Sequence, residues 1–112
     1  MRKEKHELEK LYKAILTLKT VDECSAFFDD ICTIQELEAI SQRLQVACNL
    51  LDGKSYLDIN EETGASTATI CRVNKALRYG DGGYKTVIER LEENANWPEY
   101  IKIWRKSGIH TS

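Results

Sequence analysis

Apolar residues recur at Leu8, Leu11, Ile15 and Leu18, with Tyr12 alongside, the spacing that gathers them on one face of a helix over 4–19 with charges opposite. A second helix follows through Phe27, Phe28 and Ile31. Asp22, next after Val21, is its expected N-cap, because a carboxylate there can accept from the first free amides. Thr33 stands three residues before Glu36, the capping-box spacing, and opens a long third helix along Leu37, Ile40, Leu44, Ala47, Cys48 and Leu51. Gly53 is placed to end that helix in the left-handed conformation. Ser55 begins a short segment with Leu57 and Ile59 that Gly64 stops, and a helix from Ser66 to Arg78 comes next. The stretch YGDGG, residues 79–83, predicts a loop or hinge. Tyr84, Val87, Ile88 and Leu91 then predict a helix over 84–94. Pro98 suits the first turn of a last helix carrying Ile101 and Trp104, closed by Gly108.

Composition agrees with an all-α fold, since aliphatic residues, Glu, Lys and Arg are plentiful while there are 6 glycines and 1 proline. A chain of 112 residues is most economically a single domain, 1–112, with one modest core. The stripes of 4–19 and 84–94 each need covering. A compact monomeric bundle could do it, and so could a core shared between two chains.

The formal charge of −2 excludes the strongly basic footprint of many nucleic-acid-binding domains, so binding of that kind must rest on local charge. Cys24, Cys32, Cys48 and Cys71 show no CxxC spacing and fit reduced thiols, while His6 and His110 stand alone, so no metal site is expected. The N-terminus runs into charged helix formers and no apolar run approaches the roughly 18–20 residues of a membrane span, which predicts a soluble, cytoplasmic protein. No Gly-rich phosphate loop, paired His and Cys, or metal-spaced cluster points to an enzyme.

Residues 55–78 meet the requirements of a helix-turn-helix: Ile59 turned inward on the first helix, Gly64 at the turn, Ala65 just after it, and Ile70, Val73 and Leu77 fastening the second helix. Asn60 departs from the small residue usual in the first helix. With Ile70, Val73 and Leu77 inward, the helical period turns Thr67, Ala68, Cys71, Arg72 and Lys75 outward. Ser66 and Thr67 lie at a helix N-terminus, where a phosphate is favoured, and Arg72, Lys75 and Arg78 add positive charge with no acid among them. That face suits duplex DNA; the alternative is a solvated face complementing the helix C-terminus. Cys71 is a small reader or packing residue before it is a redox switch. Trp97 and Trp104 suit a core or a dimer interface, and Lys102, Arg105 and Lys106 a solvated helix end or a further phosphate contact.

The run TIQELEAISQRLQVACNLLDGKSYLDINEETGASTATICRVNKAL, residues 33–77, carries a T-x-x-E-x-E-A-I-x-x-R segment, a helix reaching L-L-x-G, and G-A-x-x-A-T-I-x-R at the turn. It resembles the tryptophan repressor family, specifically the YerC/YecD homologues. The resemblance implies an intertwined homodimer of about six helices per chain and a transcriptional regulator, by its type a repressor, that binds a pseudo-palindromic operator in double-stranded DNA. Thr67, Ala68 and Cys71 match groove-reading positions of that family. Arg43 and Arg72 match the arginines that sandwich its corepressor, and Thr33 a residue near the ligand's amine. Arg43 otherwise reads as a surface partner of Glu36 or Glu38.

Val73 replaces a glycine beside the bound indole, and Ala76 a serine that holds the amino acid, so L-tryptophan is disfavoured and any corepressor is an unidentified small molecule. Asp58, Glu61 and Glu62 place negative charge where the family uses basic residues, which lowers the expected DNA affinity. The alternative function is a helical protein–protein interaction module on the same scaffold without DNA binding.

Overall fold

The structure, a computed structural model, describes residues 2–94. These form α1 (Arg2–Leu16), α2 (Val21–Ile31), α3 (Ile34–Leu51), α4 (Tyr56–Thr63), α5 (Thr67–Tyr79) and α6 (Gly83–Glu93), with no strand among the described residues. The helix expected around Pro98, Ile101 and Trp104 lies outside them. The chain divides into two compact units, Met1–Glu38 and Ala39–Ser112.

In the first unit α1 stops at Leu16, three residues short of the periodic pattern. The Thr17 hydroxyl donates to the Ala14 carbonyl at 2.6 Å, and the Thr17 and Leu18 amides donate three residues back, so a side chain competes for the ladder and tightens the last turn. The N-cap of α2 is Thr20, and Asp22 falls inside the helix. Thr20 has an extended backbone that lets its hydroxyl accept from the Glu23 amide at 3.0 Å, while the Glu23 carboxylate accepts from the Lys19 amide at 2.8 Å. A hydroxyl and an acid three residues apart therefore start α2, as they start α3. At α3 the Thr33 amide donates to Glu36 at 2.8 Å and the Glu36 amide to the Thr33 hydroxyl at 3.1 Å, the reciprocal pair that the spacing predicts. The backbone and hydroxyl of Thr33, in that order, hold the Glu36 carboxyl below its ordinary pKa.

No described residue of the first unit is buried, and Leu16 is 82% exposed, with Val21 and Ile31 also largely open. The second unit holds the core: Val46, Ala47 and Cys48 of α3, Ile59 of α4, Ala65 of the turn, Ile70 and Val73 of α5, and Ile88 of α6, ringed by Leu44, Leu50, Leu51, Leu77 and Tyr84. Each fully buried Ile or Val contributes about 1.5–3 kcal/mol relative to an exposed position. The end of α3 is closed by Gly53 at φ 83°, with the Gly53 amide donating to Leu50 and the Lys54 amide to Asn49. This six-to-one and five-to-two pairing satisfies two of the carbonyls that a helix end leaves free.

Candidate nucleic-acid interface

The short helix α4 is started by Ser55, whose hydroxyl accepts from the Asp58 amide at 3.2 Å. It ends at Gly64, which takes φ 74° and donates its amide to Asn60. A side chain at that φ is strained even though a Cβ there would meet nothing closer than Gln42 Nε2 at 4.0 Å. Three further bonds fix the turn. Asn60 Nδ2 donates to the Ala65 carbonyl at 2.7 Å, the Ala65 amide donates to the Thr63 hydroxyl at 3.1 Å, and Gln42 Nε2 of α3 donates to the Thr63 carbonyl at 3.1 Å. Asn60 and Gln42 are turn-holding residues that hydrophobic patterning passes over. Asn60 is where the sequence breaks the usual small-residue pattern, and that break was the available signal. The paired Lys54 and Glu62 tie the α3–α4 connection to the last turn of α4.

α5 begins with Ser66 as N-cap, its hydroxyl accepting from the Thr69 amide at 3.2 Å and donating to Thr69 Oγ1 at 3.1 Å. Ser66 is thus already engaged in starting the helix. The Thr67 and Ala68 amides, one and two positions on, are the ones left to face a phosphate oxygen. Ile70 and Val73 are buried and Leu77 packs beside them, so α5 is pinned along one stripe. Its opposite side is open: Thr67, Ala68, Cys71, Arg72 and Lys75 are all exposed, as the period predicts, and so is Arg78. Neither Arg72, Lys75 nor Arg78 pairs with a carboxylate among the described residues. Asn74 Nδ2 donates to Tyr56 Oη at 3.0 Å and so joins the middle of α5 to the start of α4.

This arrangement is a helix-turn-helix: α5 is held from behind by α3, α4 and α6 and offers a short, basic, acid-free face. The profile of the family described as Trp repressor protein matches residues 6–92. This chain belongs to that family. Its relatives include the uncharacterized protein YerC of Bacillus subtilis (strain 168), 49% identical over 87 residues, which are 78% of this chain and 84% of that protein. A crystal structure of a TrpR-like protein from Eubacterium eligens ATCC 27750 is 53% identical, with a TM-score of 0.76, and covers 79% of this chain and 91% of its own. A crystal structure from Staphylococcus aureus is 44% identical at the same TM-score of 0.76, covering 86% and 99%. The family match runs through both compact units and ends within α6.

The residues expected around a ligand are distributed differently from those on the open side of α5. Arg43 is exposed on α3 and lines an open hollow of about 570 Å³ with Ile40, Leu44, Ala76, Tyr84, Val87 and the 81–83 turn. Arg72 is outside that lining, on the open side of α5, and Thr33 is the N-terminal cap of α3. Val73 is sealed in the core, while Ala76 forms part of the hollow's wall and offers it only a methyl group. Among the described residues no group of three or more His, Cys, Asp and Glu could hold a metal ion, and no helix is long and apolar enough to cross a membrane.

Proposed function

We propose that this protein is a sequence-specific DNA-binding transcriptional regulator, a repressor in sign, which acts in the cytoplasm as a single-domain homodimer on a pseudo-palindromic duplex operator. The observation that carries the reading is the division of α5. Ile70 and Val73 are buried on one side, and Thr67, Ala68, Cys71, Arg72 and Lys75 are exposed on the other with no carboxylate beside them. A rigid helix of this kind fits a major groove, with the cations on phosphates and the small residues Thr67, Ala68 and Cys71 close to base edges. The open apolar residues of α1 and α2 support the homodimer, because a second chain is the natural cover for Leu16, Val21 and Ile31. Any effector is a small molecule other than L-tryptophan, since Ala76 supplies no hydroxyl to the ligand side.

The test is a salt-titrated binding assay on genomic fragments. Arg72→Ala and Lys75→Ala should each weaken binding at every sequence and lower the slope of log K against log salt by about one, with helicity unchanged. Mutants that bind like the wild type, or a wild type without duplex affinity, would remove this reading. The exposed carboxylates Asp58 and Glu61 of α4 favour a second reading, a protein-interaction module on the same scaffold. A stoichiometric protein partner retained by the double Arg72→Ala, Lys75→Ala variant would support it over the first.

A further inference from the structure

The side of α3 that meets α4 carries side-chain amides on successive turns, Gln42, Gln45 and Asn49. Gln42 is taken up by the Thr63 carbonyl. Gln45 and Asn49 instead line a small notch of about 170 Å³ with Glu62 and Thr63 from the last turn of α4. Asn49 is the buried polar residue among the described ones, 8% exposed, and its side-chain amide has no hydrogen-bond partner in the chain. Only its backbone carbonyl is engaged, by the Lys54 amide. Burying an amide that nothing pairs is unfavourable, and this one stands at the wall of a notch open to solvent. The notch is also separate from the hollow, because Asn49 lies nine positions on from Ile40 and so half a turn round the helix from it. We propose that the notch is a binding site for a primary carboxamide, a small neutral group with N–H donors beside a C=O acceptor.

Charge, pattern and size all favour this occupant. The Glu62 carboxylate is already paired with the Lys54 ammonium, whose side chain is 9% exposed. A cation entering beside Glu62 therefore also meets Lys54, and an anion meets Glu62, which leaves a neutral ligand the least opposed. Asn49 and Gln45 each offer a C=O and an NH₂, so a carboxamide can pair with either one reciprocally, through two hydrogen bonds. The Glu62 oxygen that Lys54 does not hold is left as an acceptor for the second N–H. The Thr63 hydroxyl donates to the Ile59 carbonyl and accepts from the Ala65 amide, so it walls the notch without competing for the ligand. At about 30 Å³ for each water-sized group, the space holds roughly five non-hydrogen atoms, a carboxamide with one or two carbons attached. An occupant ties α3 to the last turn of α4, directly before Gly64, and so acts on the turn that α5 leaves from.

The test is a titration of the isotope-labelled full chain with acetamide, followed through the side-chain NH₂ and backbone amide signals in NMR, with guanidinium chloride and sodium acetate as charged analogues at matched ionic strength. Acetamide should shift the Asn49 and Gln45 NH₂ signals and the Glu62 and Thr63 amides saturably, and neither analogue should. Gln45→Ala, at an exposed residue, should weaken the binding severalfold, and Asn49→Leu should abolish it with circular dichroism unchanged. Shifts that never saturate, guanidinium or acetate binding as well as acetamide, or binding untouched by Gln45→Ala overturns the proposal, the last even if Asn49→Leu fails to fold. Free L-glutamine and its N-acetyl, C-methylamide derivative then distinguish the source. Tighter binding of the first supports a free metabolite, and tighter binding of the second supports the side chain of a peptide, with the carboxamide common to both. None of these readouts depends on DNA binding, so this proposal and the function proposed above fail separately.

Discussion

Gly64 and Asn60 do opposite kinds of work at the same turn. Gly64 supplies a backbone conformation that L side chains rarely adopt, and Asn60 supplies a donor for the Ala65 carbonyl that would otherwise be left without that partner. Gly64→Ala should therefore destabilise the fold by about 1–2 kcal/mol, the cost of an L residue in the left-handed region, because the space around it is free. Equilibrium denaturation checks this, and an unchanged midpoint would mean that the turn relaxes to another conformation. Gly64 was legible in the sequence because a turn between two short helices leaves few alternatives. Asn60 was visible only as a departure, since a hydrogen bond to a backbone carbonyl five residues away leaves no periodic trace. Ser66 was read as a phosphate neighbour, and it is the cap of α5; both follow from the same exposed helix end, and the pairing with Thr69 distinguishes them.

At the scale of elements, the helix starts were legible where a hydroxyl and an acid stand three apart, as at Thr33 and Glu36. The start of α2 was displaced because two acids, Asp22 and Glu23, follow one threonine, and the one three residues on from Thr20 closes the pair. The end of α1 was overrun because periodicity continues through Leu18 while the Thr17 hydroxyl takes a carbonyl of the last turn. The Thr33–Glu36 box also gives α3 a pH dependence. Because the folded carboxyl titrates below its ordinary value of 4.5, its contribution is fully present above that value and is lost as pH falls through the lower folded one. Thermal melts should show Glu36→Gln less stable than wild type near neutral pH, with the gap narrowing as pH falls below 4.5. A gap independent of pH would show that the amide loses packing or geometry instead of charge.

For the whole molecule, the two units differ in kind. The second has a sealed core that fixes α5 from behind, and the first has helices with one apolar side and nothing buried. Of the two stripes that need covering, 4–19 falls in the first unit, which buries nothing among its described residues, while 84–94 falls in the second and gives Ile88 to its core. The hollow was less legible than the open face of α5. The exposed face of α5 follows from one helix's period, whereas the hollow is assembled from α3, α5, α6 and the turn before α6, and only the fold joins Arg43 and Ala76 to Tyr84 and Val87. The central claim, a dimeric reader of specific duplex sequence, is tested most directly by selecting bound duplexes from a random library with the purified full-length protein. Enrichment of a two-fold symmetric pair of half-sites about 10 base pairs apart centre to centre, lost in the Arg72→Ala, Lys75→Ala variant, is the predicted result. A library that yields no common motif would contradict it.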